Sequence, residues 1–179
     1  MAKLFNHAGY SVVETTNVAA VRNGRMVSQY EMSTALDTAG AQNGMLLAID
    51  DIGKEVGLPA NANAIVGLHA SDERVYEEGK GLNTFIVKKP NLPRVMRLAI
   101  GDKFETNAVE QGGTDLDTPA NAKAYLAGDP IYGIADATGN IKLSKTLAAE
   151  VVVGLQVVEF VTLPNGEEGI RFVVVKAGA

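Results

Sequence analysis

The 179-residue sequence has no cysteine, no tryptophan and only two histidines, and its aromatic content is 6%. Without Cys there can be no disulfide staple, no thiolate nucleophile and no cysteine-based zinc or iron–sulfur site. Two isolated histidines, His7 and His69, are too few for a His-rich metal centre and fit a Ser–His triad poorly. Long hydrophobic runs are missing as well. The most apolar stretch, 151–163, is interrupted by Gln156 and Glu159 and falls far short of the roughly 20 residues that cross a bilayer. Residues 1–30 contain no apolar block of about 7–15 residues, so no secretory leader is expected and synthesis in a cytoplasm is. Positive charge is scarce too: 16 Lys and Arg against 21 Asp and Glu leave a net charge of −5. Neither a nucleic-acid nor a membrane partner is expected, because phosphate binding draws on clustered cations.

What is present is ordinary for a folded domain, 46% hydrophobic and 21% charged, with 19 glycines to serve turns. The length fits one compact domain or two small lobes sharing an interface. Most segments read as strands. Residues 44–50 place Met45, Leu47 and Ile49 on one face and Leu46, Ala48 and Asp50 on the other, and 51–54 supply turn chemistry. Short β-rich runs occupy 64–69, 82–88 and 94–100, with a further strand at KFET (103–106) after a Gly101-Asp102 turn. Residues 155–163 and 170–176 are β-branched on both faces and flank an Asn165-Gly166 turn, which predicts a hairpin placed centrally in a sandwich or barrel. Helix is the minority state. Thr118 as N-cap, Pro119 at the first helical position and Gly128 beyond the end predict one helix over 119–127. Residues 28–39 carry a weaker helical pattern. The reading is mainly β, a small barrel or sandwich with one or two short helices. Residues 1–40 are expected to form an N-terminal arm or edge segment, and 41–179 a β-rich domain.

An internal pseudo-repeat is the most informative feature. Residues 44–69 and 128–156 each contain a Gly, a strand, an Asp-x-x-Gly turn, a short strand, a spacer and an apolar-Val-Gly-Leu strand. The turns begin at Asp50 and Asp136, and the strand glycines are Gly67 and Gly154. Two copies, matched with small gaps, make two hairpin-plus-strand units rather than a solenoid. In this alignment His69 falls opposite Gln156, which reads as a polar strand end and not a ligand.

No residue constellation points to chemistry. Asp50 and Asp136 fit caps of turn amides better than a carboxylate acid–base pair. Asp115-x-Asp117 lacks the sixth-position Gly and closing Glu of a calcium loop. Gly112-Gly113 and Gly79-Lys80-Gly81 lack the order of phosphate-binding loops. Lys88, Lys89, Arg94 and Arg97 form the one basic cluster, split by Pro90 and Pro93 and without interleaved aromatics, which fits a solvated loop or a rim meeting an acidic neighbour. No catalytic, cofactor-binding or metal-ligating residue is assigned, and no cofactor is expected.

The segment 127–143 (AGDPIYGIADATGNIKL), the following VVVGL (151–155), LAIGDKFETN (98–107) and GMLLAID (44–50) together resemble the capsid decoration, or cement, proteins of tailed bacteriophages. The likeness covers roughly residues 44–175 and rests on short motifs, while the first 40 residues match no family pattern. It implies a non-enzymatic virion structural protein on the outer capsid surface, assembled in the host cytoplasm. Its partner would be the major capsid protein, with a homotrimer as the favoured oligomer. A tail or head–tail connector component, and a soluble β-domain enzyme or ligand-binding protein using Asp50 or Asp136, are the alternatives. If residues 1–40 act as a clamp, Leu4, Phe5 and Tyr10 are its expected capsid contacts.

Overall fold

A computed structural model describes residues 3–5, 11–20, 23–37, 39–60, 64–71 and 85–177. The fold is mainly β, with two sheets, one of them curled into a half-barrel, and two short helices. Strand β1 (Val13–Asn17) is followed by β2 (Met26–Val27), β3 (Glu31–Met32), helix α1 (Thr34–Asp37), β4 (Leu46–Asp50), β5 (Glu55–Gly57), β6 (Val66–His69) and β7 (Val95–Arg97). Then come β8 (Lys103–Thr106), β9 (Val109–Glu110), helix α2 (Pro119–Leu126), β10 (Tyr132–Ala135), β11 (Ile141–Ser144), β12 (Gly154–Thr162) and β13 (Glu168–Lys176). One sheet has the order β2-β7-β6-β4-β5-β3 and the other β1-β8-β13-β12-β10-β11-β9.

These orders reveal a duplication larger than the motif in the sequence. Setting β1 aside, each sheet is a six-stranded unit built in the same chain order, with a helix between its second and third strands. In each unit the third strand pairs antiparallel with the fourth and the fifth, and the second lies parallel to the fourth. Backbone bonds repeat at equivalent places. His69 N–H donates to Met45 O and Val157 N–H to Ile131 O, both at 2.8 Å. Arg97 N–H donates to Arg25 O at 3.0 Å and Val174 N–H to Asp102 O at 2.9 Å.

The register corrects the sequence alignment by one residue. Leu47 pairs with Gly67, and the equivalent rung is Gly133 with Leu155. Gly67 therefore matches Leu155 rather than Gly154, and His69 matches Val157 rather than Gln156. Each unit holds one Gly and one Leu at this rung, on opposite strands. Space explains the pairing: a Cβ on Gly67 would lie 2.7 Å from Met96 O, and one on Gly133 would lie 3.0 Å from both Ile141 Cγ2 and Phe172 Cε1.

Local chemistry sets the elements. Thr118 is extended at φ −133° and its hydroxyl accepts from Asn121 N–H, so α2 starts where the sequence places it. The weaker helical pattern over 28–39 resolves into β3 and the single turn α1. The hairpin β12–β13 lies centrally in its sheet, between β8 and β10. Alternation within β4 sends Leu46 into the larger core and Leu47 and Ile49 into a second one. The larger core lies between the sheets, where Leu46, Leu68 and Met96 meet Phe104, Leu155 and Phe172. The second joins Met32, Leu47, Val56 and Val95 to Leu36 of α1. Both faces of β4 are thus covered, which explains its near-continuous apolar run.

Described residues among the first 40 pair with both sheets. Strands β1, β2 and β3 each occupy a sheet edge, and residues 3–5 extend the other sheet beyond β9, with Leu4 N–H donating to Val109 O at 2.9 Å.

Candidate functional site

The two repeated turns carry the aspartates that sequence reasoning singled out. Asp50 Oδ1 accepts from the N–H groups of Ile52 and Gly53, at 2.9 and 3.0 Å. Asp136 Oδ1 accepts from Thr138 and Asn140 N–H, at 2.8 and 2.9 Å, and from the Thr138 hydroxyl. Both are turn caps, in different sheets, and the structure does not join them in one cluster. The second turn also seats on the first unit. Leu46 N–H donates to Gly139 O at 2.7 Å, and Gly139 sits at φ +80°. The β4–β5 ladder stops at the Ala48–Gly57 rung, so the Leu46 N–H lies beyond it and takes this neighbour as its acceptor.

Beside that seat lies a carboxyl pair that sequence reasoning missed. Glu110, at the end of β9, is 6% exposed, and its Oε1 accepts from Asn140 Nδ2 at 2.6 Å. Its other oxygen, Oε2, and Asp136 Oδ2 are both buried with no hydrogen-bond donor. Burial first, and then the Asp136 charge, raise the Glu110 pKa above the usual carboxylate range. A cavity of about 10 Å³ adjoins, lined by Lys3, Ser11, Gln42, Asn43, Glu110 and Asn140 among others. Sequence signals were weak here, because a lone Glu in a two-residue strand meets Asp136 only through the long-range β9–β11 pairing.

His69 is fully buried inside a saturated polar network. Its Nδ1 lies 2.7 Å from Gln42 O and its Nε2 2.9 Å from Ser71 Oγ. Ser71 Oγ in turn accepts from Arg94 N–H, and Asn43 clasps the Ser71 backbone through Oδ1 and Nδ2. Neutral imidazole satisfies both contacts, with Nδ1–H donating and Nε2 accepting from the hydroxyl. Desolvation lowers the His69 pKa to about 4. The arrangement fastens strand β6 to the loop before β4.

Other flagged residues are spent locally. Asp115 pairs with Lys145, and Asp117 Oδ1 accepts from Asn121 Nδ2 at 2.8 Å. The basic cluster divides, with Lys89 paired to Asp37 at 2.8 Å and Arg97 to Asp51. His7, Tyr10 and the 79–81 Gly-Lys-Gly lie outside the described residues. Among the described residues no three His, Cys, Asp or Glu side chains cluster as a metal site, and no helix is long and apolar enough to cross a membrane.

The proposed contacts Leu4 and Phe5 require a correction. They are 4% and 5% exposed and lie in the larger core, with Phe5 edge-on to Phe160 at 6.3 Å. Their side chains seal the chain's own sheet instead of facing outward, because an apolar pair on an edge strand gains most by covering the adjacent core. The exposed large apolar side chains lie elsewhere. Ile52 is 98% exposed, Ile100 69%, Leu92 43%, Val158 42% and Ile65 40%. The β4–β6–β7 register places the three isoleucines at one end of the first sheet, in the β4–β5 turn, at the entry to β6 and past the exit from β7. At the Ile52 place the second unit has Thr138.

No family model, curated protein or solved structure matches the chain.

Proposed function

We propose that this protein is a non-enzymatic decoration protein of a tailed-phage capsid, which binds the outer face of the assembled head and ties major capsid subunits together. The observation that carries the reading is the duplicated β unit. The motifs that resemble decoration proteins coincide with the strands and turns that the two units share, and both repeat aspartates are used to hold those turns. The exposed isoleucine end supplies the adhesive surface. Ile52, Ile65 and Ile100 lie at one end of the first sheet, where the second unit has Thr138 at the Ile52 place, and isolated apolar residues acquire meaning when grouped at one end. An interface of about 1,600 Å² around them suffices for specific binding, and many symmetric copies add avidity. A trimer on the shell fits that arithmetic. The acidic net charge suits the outside of a shell better than its nucleic-acid-filled interior.

Co-sedimentation of the purified chain with phage heads lacking it tests the reading. Wild type is expected to pellet with heads saturably, and the double variant Ile52→Asp/Ile100→Asp to stay in the supernatant while remaining folded. Binding only to tails or connectors would move the protein to another virion position. No binding to any particle would remove the virion reading.

A further inference from the structure

The chain holds three Asn-Gly pairs, Asn23-Gly24, Asn43-Gly44 and Asn165-Gly166. An asparagine followed by glycine can lose its side-chain amide without an enzyme. The backbone nitrogen of the glycine attacks the asparagine Cγ, the Cγ–Nδ2 bond breaks, and ammonia leaves with the proton that the attacking nitrogen gives up. Water then opens the five-membered imide to aspartate or isoaspartate. Glycine favours the step because it has no Cβ to crowd the ring and leaves the backbone free to turn. The fold sets two further conditions: the glycine N–H must be free to lose its proton, and the carboxamide free to swing towards it.

The three pairs meet these conditions differently. Asn43 is 5% exposed, its carboxamide clasps the Ser71 backbone at 2.8 and 3.1 Å, and Gly44 N–H donates to His69 O at 2.9 Å. Asn165 is exposed in the β12–β13 turn, but Gly166 N–H donates to Leu163 O at 2.8 Å and Asn165 Oδ1 accepts from Glu167 N–H at 3.1 Å. Asn23 is exposed in the β1–β2 connection, and among the described residues no hydrogen bond holds its carboxamide or the Gly24 N–H. A Cβ on Gly24 would meet nothing within 4 Å, so the imide ring has room.

We propose that Asn23 is a site of spontaneous deamidation in the folded protein, and that the fold protects Asn43 and Asn165. Each event replaces a neutral amide by a carboxylate, and the isoaspartyl product also reroutes the backbone through the former side chain. The new charge arrives two residues from Arg25, whose guanidinium lies 3.7 Å from the buried Asp102. Arg97 N–H donates to Arg25 O at 3.0 Å, which sets this turn beside the exit from β7, at the end of the first sheet that carries Ile100. Any effect on shell binding rests on the function proposed above; the modification itself does not.

The test is peptide mapping by mass spectrometry of the full chain aged at mildly alkaline pH, folded and in guanidinium, with isoaspartate read by methyltransferase labelling. In guanidinium the three pairs are expected to convert at similar rates. In the fold Asn23 is expected to convert first, with Asn165 about five- to tenfold slower because the Gly166 hydrogen bond must open before attack. Asn43 should convert only through unfolding, since its carboxamide and the Gly44 N–H are both engaged in the interior. The variant Asn23→Gln, which cannot close the same five-membered ring, is expected to leave only the slow Asn165 signal. Two results overturn the assignment: conversion at Asn165 or Asn43 as fast as at Asn23 in the folded chain, or no conversion at Asn23 over a period in which the unfolded chain converts.

Discussion

At the scale of single residues, polar side chains here close local accounts, and two of them link stability to pH. His69 is neutral in the fold with its pKa lowered to about 4, against about 6.5 in the unfolded chain. Its contribution is complete above pH 6.5 and is lost as pH falls towards 4, because protons then bind the unfolded state preferentially. The span corresponds to about 3 kcal/mol. Urea titrations of wild type and His69→Gln are expected to show a shallower decline of stability between pH 6.5 and 4 in the variant. Parallel curves would contradict the buried neutral imidazole. Glu110 has the opposite sign, since its raised pKa favours the protonated form in the fold and the pair grows costlier as pH rises above the normal carboxylate range. Leu4→Ala should cost about 2–5 kcal/mol in the same urea assay, as for other buried leucines. The Thr118 cap, Pro119 and the Asp-x-x-Gly turns were legible because each is settled within a few residues. Glu110 was not, because its burial and its partner come from strands far apart in sequence.

Elements repeat in this chain more faithfully than residues do. The hairpin-plus-strand motif was visible because turns need Asp and Gly whatever surrounds them. The remaining strands of each unit were hidden, since β2, β3, β7 and their counterparts share burial and pairing but little residue identity. The one-residue error in the Val-Gly-Leu alignment has the same origin: the rung requires one small and one large side chain and does not care which strand supplies which. Gly67→Ala is therefore expected to destabilise by about 1–3 kcal/mol, because its Cβ would press on the Met96 backbone carbonyl. Gly24→Ala provides the comparison, where positive φ adds strain but no atom lies within 4 Å. Equal losses for the two would contradict the packing account. Deleting residues 1–20 removes β1 together with Leu4, Phe5, Val18 and Ala20 of the core, so it should lower the thermal midpoint or solubility and not act on partner binding alone.

The two units form one molecule because the larger core takes side chains from both and Gly139 of one bonds Leu46 of the other. Calorimetry should accordingly give a single cooperative transition, and residues 24–100 or 101–177 expressed separately should lack it. Two resolved transitions would mean that the shared core contributes little. On the proposed function, the isoleucine end of the first sheet is the face that would meet the shell. The most direct measurement is the number of chains retained per head at saturation, together with the temperature at which heads break with and without the chain. The account predicts a fixed ratio of bound chain to shell subunit, a higher breakage temperature, and loss of both with Ile52→Asp/Ile100→Asp. Heads that bind no chain, or that bind wild type and the variant equally, would contradict it.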